Sequence, residues 1–419
     1  MTRQRLIFHL LRSVFLLTLA GHQIAIPVSA QVQRPQSITA RASDPLPSDE
    51  LLARLPDVFR LATSQYQSLL SQVKSSVDQP RSFSNGALKL VGPRDWTSGF
   101  FAGSLWLLYE YTEQPNWRAA ARNYTYRVES IKYFRGDHDV GFILNCSFGN
   151  GYRLTQERHF RKVLIHGARS LATRFNPQVG MIRSWDFGAW QYPVIVDNLM
   201  NLELLTWAAR ASGETRLRDI AERHADNTLK HHFRDDGSSV HLVDFDPKTG
   251  AVKKKQTVQG AADSSSWSRG QAWALYGYTL LFRETGKVEY LAQAQRIARF
   301  INHHPRLPPD KIPYWDFDAP EIPNTQRDTA AAAIMASALL ELSTFTEPEL
   351  SQQYRLLARQ QLLALSSQNY LARPGENGGF LLTHAVGNRP NHIEVDAALN
   401  YADYYFLEAL LRYRKLAAK

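Results

Sequence analysis

A repeat of helical hairpins constrains this chain more than any other feature. An aromatic-rich apolar stretch runs into a short polar junction, and a large apolar residue then opens a more charged stretch. The junctions are Thr112-Glu-Gln-Pro-Asn-Trp117, Thr155-Gln-Glu-Arg-His-Phe160, Ser212-Gly-Glu-Thr-Arg-Leu217 and Thr285-Gly-Lys-Val-Glu-Tyr290, with a tighter fifth at Thr346-Glu-Pro-Glu-Leu350. Their starts differ by 43, 57, 73 and 61 residues, which is one hairpin per interval plus loops of varying length. Apolar residues at three- and four-residue spacing make both stretches helical. One helix of each pair is apolar nearly all round and is expected inside, whereas its partner has a polar face and is expected outside. A last helix, expected near Asp396 to Tyr413, would complete a sixth hairpin with the first, near Glu50 to Val73. Six pairs closing into a double ring predict an all-α fold, an (α/α)6 toroid. An open solenoid would need a polar capping repeat, and the last helix does not supply one.

The N-terminal segment has a different character. Residues 1–30 carry Arg3, Arg5 and Arg12, an apolar run from Leu10 to Ala20, and a small-residue site at Val28-Ser29-Ala30. That order predicts a signal peptide cleaved near Ala30, and export to the periplasm or medium. The apolar run is too short to span a bilayer, so no membrane anchor is expected. Residues 31–48, with Pro35, Pro45 and Pro47, read as a polar linker, leaving 49–419 as a single domain. One cysteine, Cys146, precludes an intrachain disulfide. The net charge of +10 would attract polyanions, acidic polysaccharides among them. No Lys/Arg block or zinc-finger spacing accompanies it, so nucleic acid is not an expected partner. The chain is expected to act as a monomer.

A second periodic feature is chemical. Trp96-Thr-Ser-Gly, Asp139-Val-Gly, Asp197-Asn, Arg269-Gly-Gln271, Asp328-Thr and Asp396 each stand at or just before the start of an inner helix. In a closed ring these starts share one rim and surround one cavity. Helix capping is the competing explanation for an aspartate there, and it serves Asp328 and Asp396 at least as well. Asp197 instead ends the apolar run Val194-Ile195-Val196, which would bury the acid and raise its pKa towards working pH. His224, His231 and His232 lack ligand spacing and are expected on a solvated outer face, not around a metal. Two carboxylates in an aromatic-lined cavity suit glycoside chemistry.

Here the residues become specific enough to resemble a family, the unsaturated glucuronyl hydrolases of glycoside hydrolase family 88. The matching strings are Asp95-Trp-Thr-Ser-Gly-Phe100, His138-Asp-Val-Gly-Phe142, Val196-Asp-Asn198, Asp236-Gly-Ser-Ser-Val-His241, Gln259-Gly260, Asp263-Ser-Ser-Ser-Trp-Ser-Arg-Gly-Gln-Ala-Trp273 and Asp403-Tyr-Tyr-Phe-Leu-Glu408. The resemblance implies a six-hairpin toroid that hydrates the C4=C5 bond of an unsaturated uronic acid, releasing it from lyase-generated acidic oligosaccharides. It implies that Asp197 is the general acid/base, and that Asp139 is a second carboxylate orienting sugar hydroxyls and tuning Asp197 by like charge. His241 and Gln259 match residues that bond substrate or water, and Arg269 matches one near the uronate, able to hold a carboxylate in two parallel bonds. Trp96, Trp273 and Trp185 would offer flat faces to sugar rings. No metal and no organic cofactor is implied.

Two departures from the family pattern stand out. Val258 replaces the histidine that several members place before Gln-Gly. A Ser-x-x-Ser-x-Lys string, linked in streptococcal-type members to sulfated substrates, is Asn388-x-x-Asn391-x-Ile393 here, with Arg389 and His392 nearby. Competing readings are an unsaturated rhamnogalacturonyl hydrolase acting on pectin fragments, a non-catalytic oligosaccharide-binding toroid, and a sugar epimerase, which would need histidine bases on the rim. The Trp267-to-Trp273 string and the carboxylate pair argue against all three.

Overall fold

The computed structural model describes residues 49–418. The expected signal peptide and linker lie outside that range. Six inner helices alternate with six outer ones. The inner ring runs through α2 (Phe100–Thr112), an interrupted helix made of α4 (Val140–Leu144) and α5 (Asn150–Thr155), α7 (Asn198–Ser212), α9 (Ser268–Thr285), α11 (Thr329–Leu342) and α13 (Asn400–Ala417). Each touches the next, and α13 returns to α2, so the ring closes. The outer belt is α1 (Glu50–Gln72), α3 (Pro115–Tyr126), α6 (Arg158–Ala172), α8 (Thr215–His231), α10 (Val288–His303) and α12 (Pro348–Leu365). No described helix is long and apolar enough to cross a membrane.

The junction chemistry explains why the repeat is so regular. In four hairpins the opening Thr or Ser donates its hydroxyl to the carbonyl four residues back, at Leu108, Gly151, Ala208 and Leu281. The same oxygen then accepts the backbone N–H two residues on, so one side chain closes the inner helix and starts the turn. The next residue is left-handed each time: Glu113, Gln156, Gly213 and Gly286. The apolar residue that follows becomes a core anchor, and Trp117, Phe160, Leu217 and Tyr290 are all buried. The fifth junction departs from this rule. α11 ends at Leu342, before Thr346, whose hydroxyl is buried without a partner among the described residues.

Burial follows the predicted layers. α11 is buried on all sides, as its Ala-rich apolar sequence demands. α8 buries Leu217, Ile220, Ala221, His224, Ala225 and Thr228, a single stripe at helical spacing. His224 and His232 are therefore not on a solvated face, contrary to expectation. His224 Nδ1 accepts from Ile182 N at 2.9 Å, and His232 Nε2 meets Val194 O at 3.0 Å. Burial holds both rings neutral, with pKa values lowered to about 3 and about 4. His232 thereby braces the strand that leads into Asp197, and His224 braces the Met181–Ile182 strand beside it in sequence.

Short strands add to the helical plan at the rim. Pro193–Ile195, Leu242–Phe245 and Val252–Gln256 form one antiparallel sheet. Gln79–Ser84, Ala87–Val91, Ala385–Asn388 and Ile393–Leu399 form another. The last helix consequently starts at Asn400 and not near Asp396. Asp396 lies in a strand with φ 57° and accepts from or shares a proton with His384 Nδ1 at 2.6 Å.

Candidate active site

Strand pairing brings the first two site residues together. Val196 N donates to His241 O at 2.9 Å, and Ile195 pairs with Leu242. Asp197 opens α7 immediately afterwards, yet its carboxylate makes no capping bond. By contrast Asp328 does cap its helix, accepting from Ala330 N and Ala331 N. Capping thus explains Asp328 and leaves Asp197 unexplained.

Asp197 Oδ2 is buried without a hydrogen-bond partner among the described residues, and so is His241 Nε2. The two atoms face each other at 3.8 Å, too far for a direct bond. His241 Nδ1 accepts from Val258 N at 3.0 Å and from Gln259 N at 3.3 Å. That bonding assigns the ring hydrogen to Nε2, the nitrogen turned towards Asp197. Burial lowers the His241 pKa to about 3, so the ring is a neutral donor. Burial also raises Asp197 to about 7, against the opposing pull of the Arg269 guanidinium. A buried acid poised near neutrality opposite a neutral N–H donor can deliver a proton and orient water.

Asp139 sits at the start of α4, also without a capping bond. Its Oδ1 accepts from Asn201 Nδ2 at 3.2 Å, and its Oδ2 is 3.5 Å from His138 Nε2. Burial raises its pKa well above the ordinary carboxylate value, and the charges of Asp137 and Asp197 add to the effect. The expected like-charge tuning therefore acts on Asp139, whereas desolvation does the work at Asp197. Asp137, His138 and Asp139 bring three metal-capable atoms within 4.8 Å of one another. Two of the carboxylates are already engaged, Asp137 Oδ1 by Asp139 N at 2.8 Å and Asp139 by Asn201.

The remaining predicted residues divide. Gln259 lies at the site, half-buried, and donates Nε2 to Gly387 O at 3.1 Å. Val258 lends its backbone N–H to His241 and packs its side chain beside Trp185, Ile195 and Leu242. Trp185 joins the Asp137 segment through a β-bridge and stacks on exposed Phe187, ring centroids 5.3 Å apart. Trp96 is half-buried against Phe100, Phe142 and Tyr401.

Arg269 and Trp273 are placed differently from expectation. Arg269 is 1% exposed, and its guanidinium contacts Asp328, Val386 O and Gly387 O. Among the described residues Nε is its one nitrogen without a partner, so two parallel bonds to a uronate are not on offer. The residue braces the loop that holds Gln259. Trp273 is fully buried, edge-on to Phe142 and Tyr405, and is core. Trp273→Ala should therefore cost about 3–5 kcal/mol of stability, measured by denaturant unfolding, and should not act through the Michaelis constant.

Sequence reasoning passed over Trp267 and Asn201. Trp267 packs tilted against His241 at 4.6 Å and lies beneath the Arg269 guanidinium, also at 4.6 Å. Asn201 follows Asp197 by four residues, and that helical spacing was the available signal. A separate cavity of about 440 Å³ is lined by Glu203, Arg283, Glu408 and Arg412. Its carboxylates are tied to guanidiniums and a tyrosine hydroxyl, so it lacks a free acid opposite a donor.

The fold agrees with what the chain is similar to. Residues 74–391 match the family model described as Glycosyl Hydrolase Family 88. An unsaturated glucuronyl hydrolase of Formosa agariphila is 44% identical over 361 residues, 85% of this chain and 90% of that protein. A crystal structure of an unsaturated glucuronyl hydrolase specific for heparin is 45% identical with TM-score 0.83, covering 86% of this chain and 98% of that one. Another structure, of a UGL with dGlcA-Glc-Rha-Glc, is 32% identical with TM-score 0.80, covering 85% and 96%. The protein is a glycosidase belonging to glycosyl hydrolase family 88.

Proposed function

We propose that this enzyme releases the 4,5-unsaturated uronic acid from the non-reducing end of lyase-generated acidic oligosaccharides by hydrating its vinyl ether. The observation that carries the reading is the unpartnered Asp197 Oδ2 facing unpartnered His241 Nε2 at 3.8 Å. Protonated Asp197 gives its proton to C4 of the sugar. Positive charge then develops at C5, next to the ring oxygen. Water adds there, guided by His241 and relieved of its proton by the Asp197 carboxylate. The resulting hemiketal opens, and the aglycone leaves with the glycosidic oxygen. Asp139 and Gln259 orient the sugar hydroxyls, with Trp96 and Trp185 beside the rings. Relatives named for glucuronyl and chondroitin disaccharide substrates support this choice over pectin fragments.

The closed ring assembles every site residue within one chain, which supports action as a monomer. The Arg-rich N-terminal segment supports export, and the basic charge suits an acidic substrate. A panel of unsaturated disaccharides from heparin, chondroitin, hyaluronan and gellan tests the function through loss of near-ultraviolet absorbance. Absence of loss on every glucuronate-type substrate contradicts it.

The pH dependence follows from Asp197. The donor must carry its proton, and its pKa is raised to about 7. The rate should fall as pH rises through about 7, while His241 remains neutral on both sides of that value. A kcat profile flat from pH 6 to 9 would contradict the assignment of donor.

A further inference from the structure

Asn201 lies one helical turn beyond Asp197 on α7 and is 1% exposed. Both ends of its amide are committed. Oδ1 accepts from Phe142 N at 2.7 Å, while Nδ2 donates to Asp139 Oδ1 at 3.2 Å and meets His138 Nδ1 at 3.2 Å. A Cβ on Gly141 would stand 2.5 Å from Asn201 Cα and 2.6 Å from its Oδ1. The two helices approach this closely only because residue 141 has no side chain.

We propose that Asn201 is a positioning residue of the reaction, fixing Asp139 in register with Asp197 and setting the tautomer of His138. The inference rests on the reading of Asp197 as proton donor. Clamping the helices alone would need only the Oδ1 bond. The Nδ2 bonds go further. Donation to His138 Nδ1 puts the ring hydrogen on Nε2, which faces Asp139 Oδ2 at 3.5 Å and Asp137 Oδ1 at 3.8 Å. Each oxygen of Asp139 thus has an N–H beside it, and the carboxyl cannot rotate without losing one. The titratable and charged groups around it are Asp137 on its own segment and Asp197 from α7, with Arg174, His224 and His241 acting on the neighbouring His138. Against two carboxylates, the Asn201 amide favours the ionised form.

Asn201→Asp tests this because the shapes match. The variant keeps the acceptor for Phe142 N and replaces the amide donor with a third carboxylate oxygen. The expected result is a fall in kcat of about 100-fold, with KM changed less than about threefold. The alkaline limb of the kcat profile, set by Asp197, should also move to higher pH, since a negative charge added one helical turn away disfavours its ionisation. A merely structural role would lower the melting temperature and leave kcat, read well below that melting temperature, near the parent value. The reciprocal swap, Asp139→Asn with Asn201→Asp, restores a complementary pair and should regain most of the melting temperature lost by the single variant. Near-parent kcat and an unmoved limb in Asn201→Asp overturn the inference, as does a swap that melts no higher than the single variant. Parent activity on the same disaccharide is read alongside. Its absence counts against the proposed function, whereas a normal Asn201→Asp enzyme counts against this inference alone.

Discussion

Asp197→Asn is expected to lower kcat by about 10²- to 10⁴-fold while leaving fold and KM nearly unchanged. The amide has the carboxyl's shape and, near neutral pH, no proton to give. No neighbour can substitute. His241 is a neutral donor whose pKa is lowered to about 3, and Asp139 is held by Asn201 and His138. Stability should move the other way. Asp197 has a folded-state pKa of about 7 against an ordinary 3.8, so its favourable contribution is complete below about pH 4. That contribution declines as pH rises and is lost above about 7. The melting-temperature advantage of Asp197→Asn over the parent should therefore grow from pH 4 to pH 7 and then level off. Near-normal turnover would remove Asp197 from its role, and an advantage that shrinks with pH would contradict its burial as an acid.

Arg269→Ala is the second large effect, and it should appear as lost stability more than as weak binding. Removing the guanidinium leaves buried Asp328 without its counter-charge and takes the donors from Val386 O and Gly387 O. Breaking a buried pair in this way costs about 3–5 kcal/mol. Activity should fall too, because Gly387 O also holds Gln259, and the alkaline limb of kcat should move to higher pH, because Arg269 is the charge that pulls Asp197 downward. Arg269→Lys should rescue little, since one ammonium cannot reach a carboxylate and two carbonyls in the guanidinium's planar geometry. Denaturant unfolding measures the loss. A variant as stable as the parent, with only KM raised, would return Arg269 to a uronate-holding role.

Where an interaction is local, the sequence was legible. The Thr or Ser of each junction bonds within four residues, so the repeat could be seen without the fold. Asp197 was legible for a related reason, since the run that buries it is Val194-Ile195-Val196, immediately before it. Arg269 was not, because its partners lie 59, 117 and 118 residues away and nothing local separates a brace from a ligand-holder. Trp273 was misplaced by its residue type, although it sits in a helix buried through Leu281 and could have been assigned to the core. His224 shares the spacing of Leu217, Ile220 and Ala221, so its burial was readable in the stripe and was obscured by its polarity. The rim sheets were hidden where they join distant segments, such as Ser82 with Leu399, although hairpins such as Gln79–Ser84 with Ala87–Val91 are local. Asn201 was missed because its three bonds depend on how closely α4 meets α7 at Gly141.

The most direct test of the central claim is one reaction in deuterium oxide with an unsaturated glucuronyl disaccharide, followed by absorbance and proton NMR. The account predicts that near-ultraviolet absorbance disappears in step with release of the aglycone, with deuterium at C4 of the uronic product, and that Asp197→Asn does neither. Aglycone release without deuterium at C4, or at parent rate from Asp197→Asn, would contradict it.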